Sequence, residues 1–408
     1  MAPGSSPGRA LKSIRLSRIK KKDFLMLPCQ RALYDLEPGV IYLNGAAFAP
    51  IPLSVQAAGE EGVRIKVAPW RQAWPPNPAL VEETRGLIAG LINAGADDIA
   101  IVGSASYGIA TACANVKIAR GSRVLVLDGE HASLALGLAR LAEEHGAVLE
   151  TIKRPADNDF TAAVLAAIER PGAPPVSFAG LSPSHWSNGL AVDLTRVALA
   201  LRKQKAIFLI DATQATGVTA LDVQALRPDY MVMPTYKWLQ GPYGLAFLYV
   251  APKHQNGRPL EEHGANRSAY DSASTVPVET LPMLAGARRF DRGERDIFIT
   301  IPMANAGLKV VTGWGQPNIS ERLRMLTDRL AGHLAELGLS VPPRDLRVPH
   351  IVGLALPDGK RYGLVEAMAA EQIHVTLRVG LLRVSPGVYN DEADIDRFAE
   401  RLGQWLRA

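Results

Sequence analysis

Six short runs of β-prone, largely apolar residues punctuate the chain, at 98–102, 123–127, 176–181, 206–210, 230–233 and 245–250, with helical stretches between most of them. Within a run the apolar residues follow one another without polar alternation, as in strands covered on both faces. Strands of that kind joined through helices predict a mainly parallel sheet in an α/β fold. Upstream, Val40 to Gly45 reads as a short strand ending in a turn, and 46–52 as loop. Residues 79–94 read as an amphipathic helix with Leu80, Thr84, Leu87, Ile88 and Leu91 on one face. Beyond about residue 310 the pattern changes to helix (319–337), strand (350–356), helix (362–372), paired strands (374–386) and helix (391–408). Asn390 is placed to cap that last helix, and Ile395, Phe398, Leu402, Trp405 and Leu406 share its apolar face.

A chain of 408 residues, 48% of them hydrophobic, can bury a large core and divide into two domains. The expected parts are a flexible basic tail over 1–37, a large α/β domain over 38–310 and a smaller α+β domain over 311–408. The first part of the large domain is expected to pack with the small one.

The net charge of +5 changes little, because Arg9, Lys12, Arg15, Arg18, Lys20, Lys21 and Lys22 stand against Asp23 alone in the first 23 residues. The excess is confined to the tail, so it argues for no nucleic-acid function. No apolar stretch follows those basic residues and no run approaches membrane-spanning length, which leaves the cytoplasm as the expected location. Cys29 and Cys113 are the only cysteines, far apart and without CxxC spacing, and the eight histidines lack ligand spacing, so no zinc site is expected.

In open parallel sheets, ligands sit outside the carboxyl ends of the strands. Lys237 lies just past one such end, in Met233-Pro234-Thr235-Tyr236-Lys237-Trp238, where aromatic and apolar neighbours favour loss of its proton and nucleophilic behaviour. Twenty-six residues upstream, at the end of another buried run, Asp211 and Gln214 supply a carboxylate and an amide. A carboxylate there can keep a pyridine nitrogen protonated, which makes pyridoxal phosphate an electron sink.

Over about residues 38–408 these segments resemble the class V aminotransferase superfamily, of pyridoxal phosphate fold type I, on its isopenicillin-epimerase-like and cysteine-desulfurase-like side. The resemblance implies pyridoxal 5′-phosphate as cofactor, an amino acid as substrate and a homodimer. Its implied phosphate ligands are the Gly103 to Gly108 turn, through the Ala105 backbone and the Ser106 hydroxyl, and Thr235. His131 would stack on the pyridine ring, Asn188 and Gln214 would bond its phenolic oxygen, and Asp211 its nitrogen. Lys237 would form the Schiff base and move the Cα proton. Arg383 would grip the α-carboxylate, whereas Arg378 either binds a distal acidic group or is a solvated strand residue. His185 and Trp186 are candidates for the cavity wall.

Arg288 to Asp296 resembles a segment that reaches across the dimer, with Glu294-Arg295 in place of the usual small hydroxyl-bearing pattern. Residues 351–390 contain no cysteine, which disfavours persulfide chemistry. The expected reaction is that of a lyase or epimerase acting at Cα; the alternatives are an aminotransferase and a cofactor-binding regulator whose tail contacts DNA.

Overall fold

The computed structural model describes residues 26–71, 78–295 and 297–408, so the expected flexible tail lies largely outside the described residues. The chain begins with β1 (Ile41–Tyr42), α1 (Leu53–Val67), α2 (Pro78–Leu91), β2 (Ile99–Val102), α3 (Ala105–Ala114), β3 (Arg123–Leu127) and α4 (Ala132–His145). It continues through β4 (Val148–Ile152), α5 (Phe160–Ile168), β5 (Val176–Leu181), α6 (Leu194–Lys203), β6 (Ile207–Asp211), α7 (Val223–Leu226), β7 (Tyr230–Pro234) and β8 (Ala246–Val250). The last third holds α8 (Thr300–Trp314), α9 (Gln316–Glu336), β9 (Val352–Leu354), α10 (Leu364–Ala370), β10 (Ile373–His374), β11 (Thr376–Arg378), β12 (Leu381–Val384) and α11 (Glu392–Arg407).

Seven strands form one sheet in the order β2-β8-β7-β6-β5-β3-β4, parallel except for β8, which runs against both neighbours. This is the expected mainly parallel α/β arrangement. The inner strands β3, β7 and β8 are buried along their whole length and β5 and β6 at all but one residue each, as continuous apolar runs require. Helices cover both faces: α5 and α6 pack over one, and α3 and α4 over the other. Gly108 lets α3 sit close on β7, since a Cβ there would lie 2.6 Å from Val232 Cγ1.

A three-stranded antiparallel sheet, β11-β12-β9, lies in a second core with α9 and α11. β1 pairs in parallel with β10, so the segment before the large sheet is tied to the end of the chain. Residue 310 falls inside α8.

Three local expectations need correction. The helix after residue 78 buries Val81, Thr84, Arg85 and Ile88, a face turned from the one expected, because Arg85 is drawn inward by an ion pair. Asp391, and not Asn390, caps α11: its carboxylate accepts the Asp394 amide at 3.0 Å. Asn390 instead accepts the Gly387 amide and donates to Asp394. Helix α1 was expected as no element at all.

Candidate active site

The carboxyl ends of β3, β5, β6 and β7 open onto a cavity of about 150 Å³ that also meets the starts of α3 and α4. Lys237, three residues past β7, stands in its wall with only 7% of its surface exposed. Burial pushes its ammonium down from 10.5 to about 8, Arg383 and Arg378 push the same way, and Asp211 opposes them. Its Nζ lies 5.4 Å from the centre of the Tyr236 ring, which stacks on Tyr243 at 4.1 Å.

Asp211 ends β6 and is buried in the same wall. Its Oδ1 accepts the Thr213 amide at 3.0 Å and hydroxyl at 2.5 Å, which fixes the carboxylate plane. Gln214 is fixed more tightly still: Nε2 donates to Ala46 O at 3.0 Å, and Oε1 accepts Trp238 Nε1 at 2.8 Å. Behind it Gly217 adopts φ 100, and a Cβ at that position would come 2.3 Å from Trp238 O. The backbone of Gln214 meets the buried His350 ring, whose basicity burial lowers.

At the other end, Ser104 caps α3 by accepting the Tyr107 amide at 3.1 Å. The first amides of a helix have no intrahelical partner and carry the positive end of its dipole. Those of Ala105 and Ser106 therefore face the cavity that both residues line. Ser106 Oγ meets Ser133 Oγ, from the first turn of α4, at 2.8 Å, so two helix starts converge on one spot. Two helix starts converging in this way suit a dianion in shape and in charge.

His131 lines the cavity and also caps α4, its Nδ1 accepting the Ser133 amide at 3.4 Å. It meets Trp186 edge to face at 5.7 Å, and partial desolvation lowers its basicity. Trp186 is anchored by Nε1 donating to Gly129 O at 2.8 Å. His185 is placed elsewhere: it stacks on Phe160 and bonds Asp128 O, outside the cavity wall.

Two expected cofactor ligands are not brought to the cavity. Thr235 is fully buried, with its hydroxyl directed to Pro242 O at 2.5 Å and Leu245 O at 3.0 Å. The neighbouring Tyr236 takes the wall position instead, in the bend that follows β7 and also presents Lys237. Asn188 closes a turn, its Oδ1 accepting the Leu190 amide at 2.9 Å, at Gly189 with φ 74. A Cβ on Gly189 would lie 2.1 Å from Ile351 O, so the turn is set by that close approach.

The sequence reading passed over Glu130. This residue is 8% exposed and lines the cavity; its Oε1 accepts the His131 amide at 2.8 Å and its Oε2 is buried with no partner in hydrogen-bond geometry. Burial, with the nearby Asp211 charge, pushes its carboxyl up to about 7. An acid three residues past β3 and directly before His131 was the available signal.

Arg383 and Arg378 stand on the β11–β12 hairpin, close enough to Lys237 for both to lower its ammonium. Arg383 Nη1 donates to Trp186 O at 2.8 Å. Within the segment expected to reach across a dimer, Arg288 binds Glu82 at 2.6 Å and Asp291 is buried beneath β2.

The donor set fits a phosphorylated pyridine aldehyde: paired helix starts for a dianion, a fixed carboxylate for a ring nitrogen, a desolvated amine for a carbonyl carbon. Glu130 Oε2, buried in the same wall near Ser182, adds a polar atom with no partner in hydrogen-bond geometry among the described residues.

The sequence profile of the family described as aminotransferase class-V matches residues 41–398. Isopenicillin N epimerase of Amycolatopsis lactamdurans is 27% identical, over 91% of this chain and 96% of that one. A probable cysteine desulfurase of Pyrococcus abyssi is 26% identical over 80% and 83%. Among solved structures, the apo cysteine desulfurase of Thermococcus onnurineus NA1 superposes with a TM-score of 0.80 at 20% identity, covering 92% of this chain and 97% of that one. A cystine C–S lyase in complex with cysteine persulfide gives 0.78 at 18% identity, over 90% and 98%. These superpositions establish the shared fold.

Proposed function

Because the chain belongs to the aminotransferase class-V family, we propose that it is a pyridoxal 5′-phosphate enzyme acting at Cα of an amino acid, as a lyase or an epimerase. The observation that carries this reading is Lys237, a nearly buried amine with its ammonium lowered to about 8, sharing one cavity with Asp211 and the α3 start.

When bound, the cofactor supplies an electrophilic aldehyde carbon and a ring that accepts electrons from Cα. The Ala105 and Ser106 amides and the Ser106 hydroxyl would hold its phosphate, Asp211 would keep a proton on the ring nitrogen, and His131 would bound the ring face. Gln214, locked by Trp238, would present its remaining amide hydrogen to the phenolic oxygen. Lys237 Nζ holds and moves the Cα proton; with an ammonium near 8, roughly a tenth of it is neutral at pH 7. Arg383 binds the α-carboxylate through its planar fork.

Persulfide chemistry is disfavoured by the placement of the thiols. Cys113 lies on α3 with burial raising it to about 12, Cys29 donates to Tyr389 O, and neither lines the cavity. A homodimer accompanies this reading, and light scattering of the purified protein tests it. Among the described residues no helix is long and apolar enough to cross a membrane.

The experiment that tests the reaction is one turnover of the loaded enzyme with a panel of amino acids, followed by mass spectrometry of cofactor and product. Retained pyridoxal phosphate with an inverted amino acid or a lost side-chain fragment supports the proposal. Pyridoxamine phosphate with a released keto acid makes the protein an aminotransferase and overturns it.

A further inference from the structure

Two cations share one face of a hairpin that lies outside the cavity lining and touches it through Arg383 and the backbone of Trp186. β11 and β12 pair with Thr376 opposite Arg383 and Arg378 opposite Leu381. Residues opposite one another in an antiparallel pair share a face, as do residues two apart on one strand, so Arg378 and Arg383 point the same way. They are diagonal neighbours, roughly 7–8 Å apart at this register. The connection that enforces the register is Val379 (φ 49) followed by Gly380 (φ 76), a two-residue turn with both φ angles positive. For a β-branched valine that backbone is unfavourable, so the tight turn is retained at a cost.

Neither guanidinium is paired with a carboxylate among the described residues. Arg383, 1% exposed, donates to Trp186 O and, at 3.5 Å, to Asn44 Oδ1, while its Nε is buried without a partner. Arg378, half-buried, donates only to the carbonyl of its own neighbour Leu377, at 3.0 Å. Each depresses the Lys237 ammonium, and Arg378 adds to the burial that lowers Arg383 to about 10. Two like charges held this close repel, more strongly as water is excluded, and one bound α-carboxylate neutralises only one of them.

We propose that Arg378 binds a second anionic group, so that the substrate is an amino acid with an acidic side chain whose α-carboxylate lies on Arg383. This rests on the reading of the site given above. The assignment turns the pair from a liability into a two-point clamp, with each planar fork facing one carboxylate.

The test titrates the cofactor-loaded enzyme with L-aspartate, L-glutamate and L-2-aminoadipate against the uncharged L-norvaline and L-norleucine, reading dissociation constants from the cofactor absorbance and from calorimetry. At least one acidic amino acid is expected to bind about tenfold or more tighter than its uncharged counterpart. In R378Q that preference collapses towards one, and R378K, which keeps the charge without the fork, retains part of it. Because the preference is a ratio within one protein, partial misfolding of a variant cancels. Equal binding of acidic and uncharged amino acids, or a preference unchanged in R378Q, overturns the assignment while leaving Lys237 chemistry standing. If no amino acid alters the cofactor absorbance at all, the reading of the site itself fails.

Discussion

Arg85 and Asp291, 206 residues apart in sequence, are joined by two parallel hydrogen bonds of 3.0 and 2.9 Å with both side chains fully buried. Asp291 also accepts the Ile101 amide at 2.7 Å and Arg295 at 2.7 Å, and Arg85 donates to Ile99 O at 2.6 Å. The pair thus ties α2 and the 286–291 segment to β2, the strand that leads into the Gly103 turn. Removing one partner leaves the other buried charge with a single weaker ionic partner, Arg295 for Asp291 and the half-exposed Glu82 for Arg85, at a cost of about 3–5 kcal/mol. We expect R85M or D291A to lower the unfolding free energy by that amount in urea titrations. The double variant R85M/D291L removes both fully buried charges and should recover part of the loss, the remainder reflecting the Asp291 carboxylate that Arg295 no longer meets.

Lys237 predicts a pH dependence of opposite direction to that of an ion-paired lysine. Its ammonium is lowered from 10.5 to about 8, so the unfolded chain binds the extra proton between those values. Stability of the cofactor-free protein therefore rises as pH climbs from 8 towards 10.5, and the full penalty, about 3 kcal/mol, applies below 8. K237M should stabilise the cofactor-free protein by up to that amount at pH 7, with the gain shrinking above pH 8. A K237M protein no more stable than wild type at pH 7 would contradict the burial argument.

Glu130 titrates in the opposite sense. With its carboxyl raised from 4.5 to about 7, the folded protein holds the extra proton in that window, so stability is lost as pH rises through it. E130Q keeps an oxygen for the His131 amide and carries no charge. It should match wild type near pH 4.5 and exceed it by about 2–3 kcal/mol at pH 8 in cofactor-free unfolding measurements. Pairing of Oε2 by the bound cofactor would shrink that gain in the loaded enzyme.

The strands that lead to Asp211 and Lys237 were legible because they are buried on both faces and so run apolar up to their carboxyl ends. β4 was not, since it lies at the sheet edge and its Val148, Leu149, Glu150 and Thr151 are exposed or half-exposed. Helix α1 gave no apolar stripe for a different reason. It packs on the 298–303 region through Gly59 and Gly62, where a Cβ would meet Met303 Sδ at 2.8 Å and Phe298 O at 2.2 Å. Close approach of backbones selects small residues, and small residues leave no hydrophobic period. At the site, sequence spacing located the strand ends but not the side-chain directions, which is why Thr235 was expected where Tyr236 stands.

Thr235 and Ser106 separate a hydroxyl that holds a loop from one that holds a ligand. The Thr235 hydroxyl is buried against Pro242 O and Leu245 O, and Gly241 packs so closely that a Cβ there would lie 2.7 Å from Thr235 Cβ. T235V keeps the shape and removes the donor, leaving the Pro242 carbonyl short of a partner while Leu245 O keeps the Thr235 amide, a loss of about 1–2 kcal/mol in unfolding free energy. Its affinity for pyridoxal phosphate should stay within about twofold of wild type. S106A removes a hydroxyl at the paired helix starts, where charge-assisted bonding to a phosphate is worth about 1.5–3 kcal/mol. Its dissociation constant for the cofactor should rise about tenfold or more, read by absorbance titration of the cofactor-free protein, with little change in unfolding midpoint. The reverse pattern, a cofactor defect in T235V and none in S106A, would return Thr235 to the phosphate and remove the α3 start from it.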